Sequence, residues 1–268
     1  MRNYIIKRIL ASILILFCVT FIIYTILRCL PASYVETMAM QLAASPGAKP
    51  YEEWISQLNA SYGLDKSIIA GYFTWLGDFA AGNFGDSWKF TVPVIQKFHD
   101  VIWLSFVMGA VAFILQLLIA IPLGIIAATR QYSRSDYLIT AGALIGISLP
   151  PFFFATLLKL IFAVKLQWFD VSGLVGRTFA QMSSLEQFLD KAHHLVLPIA
   201  TLVITSIGAL MRYTRTNMLE VLNADYIRTA RAKGLSEQKV IYKHAFRNTL
   251  IPLVTIIGGS LPGLFSGA

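Results

Sequence analysis

Charge is what this sequence has least of. Only 13% of its 268 residues are charged, against roughly 25% in an average soluble domain, while 56% are hydrophobic. A soluble core of this length cannot absorb that much apolar surface, and the mean hydropathy of +0.66 agrees. Cysteine is nearly absent as well. Cys18 and Cys29 sit in one apolar run, about 16 Å apart along a helix, too far to bridge within it. No Cys/His cluster has zinc spacing, so no metal site is expected. The G-x-x-x-x-G-K-[ST] phosphate loop, G-x-G-x-x-G, H-E-x-x-H and the nucleophile elbow are all missing. No catalytic residue is nominated, and the chain reads as no enzyme and no ATPase of its own. His193 and His194 lack a carboxylate or thiol companion nearby and read as an ordinary interfacial pair. The apolar runs hold few ionisable residues, Arg28 and Lys159, both near the outer ends. Proton-coupled carriers bury a carboxylate at membrane depth, so a proton pump or symporter is excluded.

What the sequence has instead is long apolar runs. Residues 9–30 can cross a hydrocarbon core of roughly 30 Å. Arg2, Lys7 and Arg8 precede them, and the run is too long for a signal peptide and lacks a cleavage site. Residues 1–30 are therefore a cytoplasmic start and a first span, with Arg28 snorkelling to the interface. Residues 31–100 form an external loop region with four Lys against seven Asp and Glu. Its aromatics (Tyr72, Phe73, Trp75, Phe79, Phe84, Trp88) suit a segment lying along the membrane interface. Residues 101–268 form a core with spans at 101–128, 138–164, 195–211 and 250–268. Pro122 interrupts the first of these, and Pro150 with Pro151 predicts a kink in the second. Residues 165–194 balance three basic against three acidic side chains, as an external loop.

The net charge of +8 is concentrated in one place. Residues 212–248 carry eight Lys and Arg against three Asp and Glu, which places that loop and the N-terminus in the cytoplasm. That distribution belongs to a membrane protein and removes nucleic acid as a partner. Within the loop, Asn223 caps a short helix over 224–233 with Asp225 in its first turn. Gly234 ends it in the left-handed conformation. Ser236 caps a second helix, with Glu237 in its first turn, limited by Pro252. Ile227 and Ala230 share one side of the first helix, Arg228 and Arg231 another. Physics alone leaves two readings open: a loop lying on anionic headgroups, or a docking element for a cytoplasmic partner.

The run Asn223-Ala224-Asp225-Tyr226-Ile227-Arg228-Thr229-Ala230-Arg231-Ala232-Lys233-Gly234-Leu235-Ser236-Glu237, followed by Lys243-His244-Ala245-Phe246-Arg247-Asn248, closely resembles the coupling loop of ABC-importer permeases. More narrowly it is similar to the dipeptide/oligopeptide/nickel branch, first permease of the pair. Gly82-Asn83-Phe84-Gly85-Asp86-Ser87 and Leu149-Pro150-Pro151-Phe152 agree. Arg228-Thr229-Ala230 stands where the general pattern has Glu-Ala-Ala, as is usual for this branch, and Pro31-Ala32-Ser33-Tyr34 replaces its usual Pro-Gly-Asp-Pro.

The resemblance implies an all-α, polytopic membrane protein with a type I importer-like transmembrane domain. Five spans are begun here where the family has six, so a chain truncated at Ala268 is expected. It implies a permease moving dipeptides or oligopeptides inward by alternating access. A nickel or other small-chelate cargo is the alternative within the branch, and a lipid-bound scaffold the alternative of another class. The implied partners are a second permease, two ABC ATPases that hold ATP and Mg, an extracytoplasmic substrate-binding protein and membrane lipid. This chain itself binds no cofactor. The implied location is the inner membrane of a bacterial or archaeal cell. Asn223 to Glu237 becomes the ATPase-coupling loop, and Pro122, Pro150 and Pro151 become kinks or pathway elements.

Overall fold

The computed structural model describes residues 2–30, 34–45, 48–87, 89–90 and 92–265. Trp88, Pro31 to Ser33 of the departing turn, and Ala268 lie outside the described residues. Two compact units divide at His99 and Asp100.

In the first unit, α1 (Arg2–Arg28) is apolar all round and buries no residue of its own. Its 27 residues rise about 40 Å. A helix without a polar stripe suits lipid or a membrane partner. α2 (Tyr34–Ala43) and α3 (Tyr51–Ser61) pair around Val35, Ala39 and Leu58. α4 (Ile68–Ala80) begins where the Ser67 hydroxyl accepts from the Ala70 N–H. Tyr72 is fully buried against α1, ringed by Phe17, Phe21 and Tyr24, with its hydroxyl 2.8 Å from that of Thr20. Arg28, at the end of α1, donates its guanidinium to the carbonyls of Gly63, Leu64 and Lys66 at 3.0, 2.9 and 2.7 Å, which ties α1 to the turn after α3.

The second unit holds the remaining spans. α5 (Val94–Thr129) and α8 (Ser184–Leu222) run through Pro122 and Pro198 without ending. The third span does end. Leu149 (φ −88°, ψ 130°) and Pro150 (φ −58°, ψ 135°) are both extended, because each precedes a proline and loses access to the helical region. Pro151 then starts a new helix at the position that tolerates proline best. The outcome is a break of 104° between α6 (Arg134–Ser148) and α7 (Pro151–Leu158, continued by a π-helical run to Lys165). The expected kink is thus a sharp bend between two helices, the geometry of a broken span or of a re-entrant loop. Counting that pair as one, five helical segments are long and apolar enough to cross a membrane among the described residues.

Two helices run past the apolar segments they contain. The helix holding the run 195–211 opens at Ser184, where the Glu186 carboxylate accepts from the Ser183 N–H at 2.8 Å. It continues to Leu222, so Arg212 and Arg215 lie on the helix. The last span is continuous from Lys239 to Phe265, and Pro252 sits inside α10 (Arg247–Ser260) rather than before it. Its missing N–H breaks one bond, while Thr249 and Leu253, both fully buried, hold the helix in place.

Close helix approach is built from small residues. A Cβ at Gly208 would stand 2.5 Å from the Ala143 carbonyl oxygen, and one at Gly146 2.8 Å from that of Ile204. α6 and α8 therefore touch backbone to backbone, the usual device where lipid supplies no hydrophobic drive between helices.

Candidate functional site: a helical corner at the basic end

Beyond Leu222 the chain turns and forms α9 (Asp225–Ala232). Asn223 does not cap it. Asn223 closes α8 instead, its Nδ2 donating to the Leu219 carbonyl at 2.9 Å. The extended residue before α9 is Ala224, which has no side-chain oxygen to offer. Asp225 stands in the first turn, favourable to the helix dipole. Ile227 and Ala230, on the same side of the helix, are buried in a cluster with Met218, Val240, Ala245, Ile125 and Ala128. Burying one such isoleucine contributes about 1.5–3 kcal/mol, which an eight-residue helix requires because it is not stable alone.

Gly234 has φ +75°. Its N–H donates to the Arg231 carbonyl at 2.9 Å and that of Leu235 to the Ala230 carbonyl at 3.4 Å, a Schellman closure. Arg231 then braces the corner from outside, Nε and Nη2 donating to the Glu237 carboxylate at 2.9 and 3.3 Å. Ser236 precedes the next helix, and its carbonyl accepts from the Val240 N–H at 3.0 Å. Arg228 is exposed and lies 3.5 Å from Asp225. Asp225, Tyr226, Arg228, Thr229, Arg231 and Lys233 all face outward. α9 is thus a short amphipathic helix seated on the helix ends by its apolar side, with its polar and basic side exposed.

A buried pair beneath the corner escaped the sequence reading. Asp136 is 3% exposed and takes Arg215 Nε and Nη2 at 2.8 Å each. It also accepts from the Tyr132 N–H at 3.0 Å and the Thr140 hydroxyl at 3.3 Å. This pair locks the start of α6 to the last third of α8. A hint was present, since Ser133 and Asp136 have capping-box spacing. The partner, 79 residues away, was not readable.

At the other end of α8 a cavity of about 440 Å³ opens between α7, α8 and the loop around Phe169 to Gly173. Of the proline candidates, Pro151 lines it and Pro122 and Pro150 do not, whereas Pro198 does. The histidine pair also reads differently in three dimensions. His193 stacks on Phe169, with ring centroids 4.5 Å apart. His194 does have carboxylate company, since its Nε2 lies 3.0 Å from Asp170 and its Nδ1 3.7 Å from Asp190. Asp190 is one helical turn away in sequence, and Asp170 is brought in by the loop.

Residues 120–268 match the family described as binding-protein-dependent transport system inner membrane component. Residues 1–93 match that system's membrane component N-terminal family. The chain is 36% identical over its whole length to the oligopeptide transport system permease protein AppB of Bacillus subtilis, covering 81% of that relative. It is 32% identical to the oligopeptide permease OppB of Haemophilus influenzae, again covering 81%. It is also 32% identical to the di/tripeptide permease DppB of Pseudomonas aeruginosa, covering 82%. The whole of this chain aligns in each case.

Proposed function

The chain belongs to the inner-membrane components of binding-protein-dependent transport systems, and from that premise we propose that it is a permease subunit of an ATP-driven importer of short peptides in a bacterial or archaeal inner membrane. Whole-length similarity to permeases named for oligopeptides and di/tripeptides supports the cargo class over nickel or other chelates. The observation that carries the mechanism is α9. Its apolar side is spent on the helix ends, while Asp225, Tyr226, Arg228 and Arg231 remain outside. A helix built only to rest on lipid would turn its apolar side to the membrane. This one turns it to its own protein.

In this reading residues 223–237 are the coupling element, seated in a groove of a cytoplasmic ATPase. Asp225, Tyr226, Arg228, Thr229, Arg231 and Lys233 form its outer face, Ile227 and Ala230 its anchor, and Gly234, Ser236 and Glu237 its closing turn. Two such ATPases hold ATP and Mg, a second permease completes the pathway, and an external binding protein delivers the peptide. ATP-driven closure moves α9, and the Asp136–Arg215 lock passes that movement from α8 into α6. Each state must bind its ligand with a different affinity for the cycle to have a direction.

The test is copurification of the tagged protein from gently solubilised native membranes after crosslinking, read by mass spectrometry. Two P-loop ATPases and a second permease are expected in the retained material. A chain that comes down alone, with crosslinking shown to work, overturns the assignment of partners and returns the basic corner to lipid.

A further inference from the structure

The basic ends of α5 and α6 frame a second cavity, which the coupling corner does not use. A groove of about 220 Å³ runs between α5, α6 and α8, lined by Leu123, Leu138, Ile204, Ile207 and Met211 over a floor at Gly142. No polar side chain lines it, so it offers water nothing to bond, and a peptide backbone would find no partner there. A Cβ at Gly142 would meet no heavy atom within 4 Å, so the floor is open space. Leu138, on the wall, is 74% exposed. A helix with its side chains is about 10–12 Å across, too wide for this volume, whereas a single hydrocarbon chain is slender enough.

One end of the groove leads to free positive charge. Arg130 follows α5 two turns beyond Leu123, about 10 Å along the axis. Arg134 opens α6 one turn before Leu138, about 6 Å away. Both arginines are exposed, and among the described residues neither has a carboxylate within 4.0 Å. Asp136, the one carboxylate of residues 130–137, is already taken by Arg215. Asp136 also accepts from the N–H of Tyr132, which stands at φ +62°, a left-handed conformation that a bulky L-residue adopts only at a cost. The strained residue is a tyrosine 73% exposed, set in the chain between the two arginines. Tyrosine, with an apolar ring and a polar tip, is a side chain of the membrane–water interface. Unspent positive charge, an interfacial aromatic and an apolar groove thus follow one another inward from the basic end. That is the order of phosphate, glycerol and acyl chain in an anionic lipid.

We propose that this groove is a site for one anionic glycerophospholipid of the cytoplasmic leaflet, its phosphate held by Arg130 and Arg134 and one acyl chain laid over Gly142. Guanidinium suits phosphate because its forked N–H groups match two oxygens at once. The chain fills the angle between α5, α6 and α8, so the lipid braces the same two helices, α6 and α8, that Asp136 and Arg215 join. The site is independent of the cargo and needs only that the basic end of the protein lies in the cytoplasm. No covalent step is involved.

The experiment takes the protein from its native membrane with the subunits it retains and exchanges it into phosphatidylcholine nanodiscs. Phosphatidylglycerol or phosphatidylcholine carrying a diazirine midway along one acyl chain is added in trace amount, and the labelled peptides are mapped by mass spectrometry. Phosphatidylglycerol is expected to label residues 138–142 and 204–211 at least about fivefold more than phosphatidylcholine, the gain from one basic side chain near anionic lipid. Arg130→Gln with Arg134→Gln removes that preference and leaves the weaker labelling by phosphatidylcholine in place. Gly142→Leu fills the floor and lowers labelling by phosphatidylglycerol at least tenfold. Leucine is the better helix former and starts in open space there; where that variant does not assemble, the exposed arginine pair still decides. Equal labelling by the two lipids in the wild type, or a preference that survives the arginine changes, overturns the headgroup site. Labelling unchanged by Gly142→Leu overturns the groove. A photoreactive leucine at position 138 that captures another subunit in place of lipid overturns the proposal as a whole.

Discussion

Gly234→Val isolates the backbone at the corner. A Cβ built at Gly234 meets no heavy atom within 4 Å, so a side chain there starts in open space and acts chiefly through φ +75°. An ordinary L-residue held there costs roughly 1–2 kcal/mol. Valine stands at the upper end because its β-branch restricts it further, whereas asparagine tolerates the region with a smaller penalty. Opposing the strain are the two closing hydrogen bonds at 2.9 and 3.4 Å, worth on the order of 1 kcal/mol each, and the burial of Ile227. The terms are of similar size, so α9 stays attached while its C-terminal turn opens more often. At about 1.4 kcal/mol per tenfold, valine lowers the closed population relative to the open one by about tenfold. The assay is ATP-driven uptake by the reconstituted complex beside thermal unfolding of the purified subunit. Uptake should fall in the order Gly, Asn, Ala, Val, with the unfolding midpoint lowered by no more than about 2–4 °C per kcal/mol of strain, because no core contact is touched. Full uptake by the valine variant, or an asparagine variant as poor as valine, would refute the reasoning.

Two further outcomes follow from the neighbouring charges. Asp136→Asn leaves Arg215 without its buried partner; removing one member of a buried pair costs about 3–5 kcal/mol, reduced to about 2–4 because Arg215 is 24% exposed. In a double-mutant cycle read by denaturant unfolding in mixed micelles, Asp136→Asn with Arg215→Gln should show a coupling of about 2 kcal/mol, and additive changes would exclude the lock. Arg231→Glu removes an exposed brace worth less than about 1 kcal/mol of stability, so its effect should appear in uptake and not in unfolding. Exchanging the charges with Arg231→Glu and Glu237→Arg should restore at least half of the uptake, and a swap as inactive as the single change would move the role of Arg231 to a contact outside the loop.

Much of this protein was determined locally, and local physics is what one sequence contains. The apolar runs follow from composition, and the basic corner from counting charges. The end of α9 follows from Gly234 followed by Leu235, because the left-handed closure depends on neighbours within six residues. The break at Pro150 and Pro151 was visible as a kink, because two successive residues each precede a proline, while its 104° comes from the structure. The early start of α8 was legible too, in Ser183 and Glu186, but the apolar run drew attention past it. Other features belong to the tertiary structure. Asn223 turns back on α8 because its own helix offers a free carbonyl one turn away, a choice between two near neighbours that spacing does not decide. Tyr72 is buried because α1 presents Phe17, Phe21 and Tyr24 around it. Asp136 meets Arg215, and His194 meets Asp170, only because helix packing removes the distance between segments far apart in the chain. Hydropathy identifies which segments enter the membrane; it carries no information on which polar atoms face one another once they are there.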